Sequence, residues 1–190
     1  WGSLTSNTTG FRNSAFGDAS LYSNTTGDGN AAFGYHSLFS NQDGYSNSAF
    51  GQEALYSNDG LWNSAFGFQS LYSNTAHNNS AFGNRSLYSN TIGDGNNAFG
   101  SGALYSNTTG NSNSAFGFET LKMNHSHKNS AFGYQALTSF TDPGYGDSGS
   151  NSAFGFFALY QCTTGSQNTA IGSTAGSTVT SGINLTLIGY

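Results

Sequence analysis

A repeat of about 17 residues runs through this sequence and limits what the chain can fold into. Ala-Phe-Gly recurs nine times, and Ala-Ile-Gly and Leu-Ile-Gly continue the pattern. The central residues form what we call the Phe column: Phe16, Phe33, Phe50, Phe66, Phe82, Phe99, Phe116, Phe132, Phe154, Ile171 and Ile188. One interval, from Phe132 to Phe154, is longer than the others. Because so short a unit cannot enclose a core alone, the repeats must stack on one another.

Three further columns keep the same period. Three residues before the Phe column lies the first Asn column: Asn13, Asn30, Asn47, Asn63, Asn79, Asn96, Asn113, Asn129, Asn151 and Asn168. Five residues after it lies the Leu column: Leu21, Leu38, Leu55, Leu71, Leu87, Leu104, Leu121, Leu137 and Leu159. The Tyr column follows each Leu: Tyr22, Phe39, Tyr56, Tyr72, Tyr88, Tyr105 and Tyr160, with Lys122 and Thr138 as exceptions. Apolar spacing typical of a helix is absent, and frequent Gly and Asn favour short strands joined by turns.

These columns predict an all-β fold, a single parallel β-solenoid of about eleven coils over residues 1–190. The Phe column and the Leu column, including Leu55, Leu71, Leu87 and Leu104, should stack inside as a core ladder. The first Asn column should form a turn ladder of stacked amides in left-handed backbone geometry. The only Pro lies in a loop expected around residues 140–149, and the coils over 166–190 are less aromatic.

Composition excludes several functional classes. Only 7% of residues are charged and the net charge is −5, so a nucleic-acid-binding surface of many cations is excluded. Cys162 is the single cysteine, which excludes a disulfide scaffold. No apolar stretch approaches the roughly 18 residues of a membrane-spanning helix. The composition therefore predicts neither nucleic-acid binding nor membrane insertion.

The two ends of the sequence share one phase of the repeat. Tyr190 lies two positions after Ile188, and the alignment of Leu4 with Leu21 places Trp1 two positions after a missing Phe-column site. We therefore expect either a longer array or end-to-end stacking of copies, with Trp1, Leu4, Ile188 and Tyr190 at an assembly seam. If Leu points inward, the adjacent Tyr22, Tyr56, Tyr72, Tyr88 and Tyr105 should face outward as a contact surface for partners or sugars.

The repeat resembles known surface-fibre families. Asn168-Thr169-Ala170-Ile171-Gly172 is similar to the coils of YadA-like trimeric adhesin heads, and Ala-Leu-Tyr-Ser-Asn-Thr-Thr-Gly is similar to repeats of phage tail-fibre shafts. The resemblance implies an extracellular, often trimeric β-roll, with left-handed coils. This unit is longer than the usual YadA-like coil and carries Phe in place of aliphatic residues.

Candidate catalytic and metal sites are weak. His125 and His127 lack further ligands nearby, and Asp28-Gly29-Asn30 and Asp94-Gly95-Asn96 match only fragments of calcium-binding turns. Cys162 has no nearby histidine to activate it, and the carboxylates form no recurring pair. No enzyme activity, metal or cofactor is predicted.

Two functions follow from these patterns. The first is a structural subunit or shaft segment of an extracellular fibre that assembles by end-to-end stacking, as a homopolymer. The alternative is an adhesin or tail-fibre segment, such as a homotrimer, that binds surface glycans. Filaments would favour the first function and discrete trimers the second.

Overall fold

The computed structural model describes residues 2–141 and 149–189, and over these residues the fold is all-β. Strands of two or three residues alternate with turns. The strands are β1 (Ser14–Phe16), β2 (Ala31–Phe33), β3 (Ser48–Phe50), β4 (Ser57–Asn58), β5 (Ser64–Phe66), β6 (Ser73–Asn74), β7 (Ser80–Phe82), β8 (Asn97–Phe99), β9 (Ser114–Phe116), β10 (Ser130–Phe132), β11 (Ser152–Phe154), β12 (Thr169–Ile171) and β13 (Thr186–Ile188).

Eleven of these strands form one parallel sheet in the order β1-β2-β3-β5-β7-β8-β9-β10-β11-β12-β13. Each strand pairs with the equivalent strand one repeat later, so that Ala65 lies beside Ala81 and Phe66 beside Phe82. β4 and β6 form a second, two-stranded sheet. The eleven strands delimit ten complete coils among the described residues, which confirms the predicted parallel β-solenoid with about ten coils instead of eleven.

The long interval does not interrupt the stack. β10 and β11, which lie on either side of it, pair in register with Phe132 beside Phe154. His127 bridges to Gly149, and the Ser130 backbone N–H donates to the Asn151 carbonyl at 2.8 Å. The predicted continuity is therefore confirmed at both ends of the insertion, while residues 142–148 of the expected loop lie outside the described residues.

The interior combines the Leu column with small residues. Every leucine of the Leu column is fully buried. The Ala of each Ala-Phe-Gly triplet from Ala32 to Ala153 is also fully buried and packs in the same cluster. The predicted core ladder is thus confirmed for the Leu column, including Leu55, Leu71, Leu87 and Leu104.

The prediction that the Phe column lies in the core is wrong. Its rings stand on the outer face, where Phe16 is 75% exposed and Phe33, Phe132 and Phe154 are 36–39% exposed. Phe50, Phe66, Phe82, Phe99 and Phe116 are partly exposed. The cause is strand alternation, in which successive side chains point to opposite faces. The first Asn column points inward, so two residues later Ala points inward and Phe points outward.

Two ladders of asparagine run through the interior. In the first Asn column, each Oδ1 accepts the backbone N–H of the next asparagine at 2.8–3.1 Å, so this predicted ladder is confirmed. The second Asn column, which the sequence analysis missed, lies three residues after the Leu column: Asn7, Asn24, Asn41, Asn58, Asn74, Asn90, Asn107 and Asn124. There each Nδ2 donates to the Oδ1 of the preceding asparagine at 2.8–3.2 Å.

The left-handed residues are not the predicted ones. No member of the first Asn column has a positive φ; the residue before it does, as in Arg12, Ser46 and Trp62 at φ of 56–58°. The leucines of the Leu column also take φ of 49–52°. The first Asn column needs its inward direction for the hydrogen-bond ladder, so the sharp bend falls on the preceding residue. A left-handed leucine is sterically unfavourable, and burial of its side chain offsets that cost.

Candidate interaction surfaces

The outer face of the main sheet carries an aromatic ridge made by the Phe column. From Phe33 to Phe154, neighbouring rings stack with centroids 4.6–5.0 Å apart and planes within 3–8° of parallel. Beside the ridge runs a column of Ser, Ala, Asn and Thr, the first residue of each strand. Neither column contains a charged residue. This flat, neutral and half-exposed ridge can bind a second apolar or aromatic surface.

The Tyr column forms a second stack on another side of the rod. Tyr22, Phe39, Tyr56, Tyr72, Tyr88 and Tyr105 stack with centroids 5.0–5.4 Å apart. All six are partly exposed, which confirms the predicted outward direction of Tyr22, Tyr56, Tyr72, Tyr88 and Tyr105. Burial, together with the nearby carboxylate of Glu53, raises the pKa of Tyr72 above its ordinary value. The use of this column as a contact surface stays a prediction.

A depression of about 380 Å³ opens beside the Tyr column near the N-terminal coils. Its walls include Tyr22, Phe39, Tyr35 and His36, and Asp18 lies at its margin. The rings of Tyr35 and His36 stack at 3.8 Å. The lining is therefore mainly aromatic, and sequence analysis missed it because neighbouring coils supply its residues.

The residues predicted at the assembly seam have different environments. Leu4 is partly buried against the core, and its backbone N–H donates to the Ser20 carbonyl at 3.0 Å. Ile188 belongs to the outer Phe column and is 78% exposed, whereas Leu187 takes the inward position beside Ala170. Trp1 and Tyr190 lie outside the described residues. Leu187 is thus the apolar core residue that sequence analysis missed at this seam.

The two histidines considered as a weak metal site are hydrogen-bonded to the preceding coil. Nδ1 of His127 accepts the Asn111 backbone N–H at 2.9 Å, and Nδ1 of His125 lies 3.2 Å from the Thr108 hydroxyl. Ser126, between them, is buried. Over residues 2–141 and 149–189, no three His, Cys, Asp or Glu side chains are grouped to hold a metal ion.

The two Asp-Gly-Asn turns use their carboxylates within the fold. Oδ1 of Asp28 accepts the Phe11 N–H at 2.9 Å, and Oδ1 of Asp94 accepts the His77 N–H at 2.7 Å. Each aspartate therefore joins one coil to the next, which gives these turns a structural role.

Cys162 takes a site in the second Asn column and is fully buried. Its thiol donates to the Thr164 carbonyl at 3.5 Å. Burial raises the pKa of this thiol to about 11, so its reactive thiolate is scarce at neutral pH. The arrangement is that of a small core residue.

None of the described segments forms a helix with the length and apolarity needed to cross a membrane. Comparisons of the chain with protein-family models, with curated proteins and with solved structures find no match.

Proposed function

We propose that this chain is a structural segment of an extracellular fibre and that copies of it assemble by end-to-end stacking of their coils. The observation that supports the proposal most directly is the sameness of the contacts between coils. Every interior step from the Phe33 coil to the Phe154 coil repeats strand pairing, the first Asn ladder and ring stacking. One edge of a coil is therefore complementary to the opposite edge of any other coil.

The last described coil presents such an edge. Ala175, Gly176, Thr186, Leu187 and Ile188 line a depression of about 270 Å³ at this end of the stack. A further coil would cover Leu187 and pair with β13. Because the contact joins two different edges of the molecule, it does not close on itself and would propagate as a filament.

The extracellular location belongs to the same proposal, and it is the resemblance to adhesin and tail-fibre repeats that suggests it. Labelling of intact cells with a membrane-impermeant amine reagent tests it. Modification of Lys128, which is exposed, is the expected result. Labelling only after cell lysis would contradict it.

Electron microscopy of the purified chain tests the assembly. Uniform filaments are expected, with an axial repeat of about 53 Å for a copy of about eleven repeats at roughly 4.8 Å each. Leu187→Lys should abolish the filaments and retain the β-sheet circular dichroism, since it places a charge in the stacking contact. Gln52→Lys, at an exposed site in mid-chain, is the matched control and should polymerise normally.

Three results would contradict the proposal. They are discrete trimers, an axial repeat unrelated to about 53 Å, and filaments of Leu187→Lys as abundant as those of the unmodified chain.

A further inference from the structure

A depression of about 370 Å³ lies on the side of the rod, where the continuous ring stack of the Tyr column ends at Tyr105. Three successive coils line it: Arg85 comes from the first, Gly102 and Tyr105 from the second, and Glu119 and Lys122 from the third. Its volume is within the range of about 300–1,000 Å³ that is typical of small-molecule sites.

The depression exists because one coil lacks a side chain. We call the residues three positions after the Phe column the corner column: Ala19, His36, Glu53, Gln69, Arg85, Gly102, Glu119, Gln135, Phe157 and Thr174. Gly102 is the one glycine of this column between Ala19 and Thr174. It takes φ of +68°, close to the 50–56° of the side-chain-bearing members, and a Cβ placed there would lie 3.3 Å from Cγ of Glu119. Gly102 therefore adds no side chain between Arg85 and Glu119, and the Glu119 stem lies close to its backbone.

Two of the four cationic residues of the chain meet at this place. Arg85 lies over the rings of Phe68 and Tyr88, and its Nε donates to Oε1 of Gln69 at 2.9 Å. These contacts hold the guanidinium in place and use one of its five N–H donors. On the other side, Nζ of Lys122 donates to Glu119 at 2.7 Å.

The single carboxylate in the depression is already engaged. Glu119 accepts hydrogen bonds from Lys122 at 2.7 Å and from Nε2 of Gln135 at 2.6 Å. The bond from Lys122 is the main cause that lowers the pKa of Glu119, so this side chain stays ionised at neutral pH. With Glu119 neutralised by Lys122, the positive charge of Arg85 remains for a ligand.

Tyr105 supplies a stacking surface. One face of its ring lies against Tyr88, with the centroids 5.1 Å apart. In the next coil Lys122 replaces the aromatic residue, and Tyr105 is the last ring of this stack. Tyr105 lines the depression at this end of the stack.

We propose that this depression binds a sugar that bears a carboxylate, such as a hexuronate unit of a surface glycan. The carboxylate would pair with Arg85, since a guanidinium matches the planar carboxylate group. The apolar face of the sugar would lie on Tyr105, as apolar surfaces do on exposed tyrosine rings. Asn84 and Ser101, which also line the depression, provide partners for sugar hydroxyls. This binding does not depend on filament formation, because one copy contains the whole site.

Titration calorimetry with trigalacturonate, and with neutral galactotriose as the comparison, tests the proposal. Trigalacturonate should bind and galactotriose should bind at least about tenfold more weakly, since it lacks the charged hydrogen bonds. Arg85→Gln and Gly102→Gln should each weaken binding of trigalacturonate about tenfold or more. Both variants are structurally matched, because Gln69 and Gln135 take the same corner-column position in other coils.

Lys128→Gln is the control for net charge, since Lys128 is exposed at a different corner and Gln167 takes the equivalent position. It should change the affinity less than about twofold, and circular dichroism should show unchanged β structure in all variants. The proposal is overturned if the unmodified chain does not bind trigalacturonate, or if galactotriose binds equally well. It is also overturned if Lys128→Gln weakens binding as much as Arg85→Gln, or if folded Gly102→Gln binds like the unmodified chain.

Discussion

Replacement of Asn74 by alanine tests the energetic importance of the second Asn column. Asn74 is fully buried in mid-stack. Its Nδ2 donates to Oδ1 of Asn58 at 3.0 Å and to the Ala76 carbonyl at 2.9 Å, and its Oδ1 accepts Nδ2 of Asn90 at 2.8 Å. Its Oδ1 also accepts Nδ2 of Asn79 at 3.4 Å, so the substitution removes three short bonds and one longer contact without touching the backbone.

The expected loss of stability follows from what the three partners keep. The Ala76 carbonyl retains a bond from Nδ2 of Asn63 at 2.8 Å, and Asn90 retains its bond to the Gly93 carbonyl at 2.9 Å. Oδ1 of Asn58 keeps only a long contact with Asn63 at 3.4 Å. Each of the three shorter bonds should cost about 1 kcal/mol, and Nδ2 of the buried Asn79 also loses its contact with Asn74, so Asn74→Ala should cost about 3 kcal/mol or more in total.

Guanidinium unfolding followed by circular dichroism measures this loss. Asn84→Ala is the control, because Asn84 is exposed, and it should change the free energy of unfolding by less than about 0.5 kcal/mol. Asn74→Asp tests the direction in which stability changes with pH. A buried aspartate has a raised pKa, so this variant should gain stability as the pH falls from 7 towards 4. Equal stability of Asn74→Ala and Asn84→Ala would refute the claim that the ladder stabilises the coil stack.

Three further outcomes are expected. Phe82→Ala should lower the free energy of unfolding by about 1–2 kcal/mol, because two ring contacts are lost. Leu87→Ala removes a buried side chain and should lower it by roughly 2–5 kcal/mol. The reverse order of stability in thermal melts would contradict the outward direction of Phe82. Gly67→Ala should lower the free energy of unfolding by at least about 2 kcal/mol, because a Cβ there would lie 2.5 Å from a carbonyl oxygen of the next coil. Gly95→Ser is the control and should be nearly neutral in the same melts, since other coils carry serine at this site. At pH 8, Cys162 of the folded chain should react with a thiol reagent far more slowly than Cys162 of the unfolded chain, and equal reactivity would contradict its burial. The free energy of unfolding should fall as the pH rises from 9.0 to about 11, because the unfolded chain loses the thiol proton at a lower pH than the folded chain.

The period and the inward Leu column could be predicted because both depend only on spacing. The direction of the Phe column could not be settled by hydrophobicity. Phe82 is more apolar than Ala81, yet Ala81 lies inside. The decisive signal was the alternation of side chains along a strand. Asn79 and Phe82 are three residues apart, so they cannot both face inward on one extended strand. The hydrogen bonds available to Asn79 inside outweigh the gain from burying the ring of Phe82.

The left-handed leucines and the charged depression were harder to predict. Leucine seldom adopts positive φ, so Leu71 gives no local signal for a turn. The depression had a signal in Gly102, the glycine of the corner column. Its partners Arg85 and Lys122 lie in the preceding and the following repeat, and they become neighbours only through the coil geometry. The second Asn column is less regular than the first, because Phe140 and Cys162 interrupt it, and Ser-Asn-Thr-Thr-Gly is also a plausible surface turn, so its inward direction was not predicted.

Variation in coil length is confined to a single corner. Most coils have either 17 or 16 residues. In the longer type, Nδ2 of the asparagine in the second Asn column donates to the carbonyl three residues ahead, as from Asn107 to Gly110. In the shorter type, which has one residue fewer, the same bond reaches only two residues ahead, as from Asn124 to Ser126. The long interval has five additional residues, which lie in sequence between Phe140 and Gly149, and the strands on either side of it pair in register. Foreign peptides grafted between Thr108 and Thr109 should therefore leave the rod intact, which makes this corner a row of display points spaced about 4.8 Å apart along the axis.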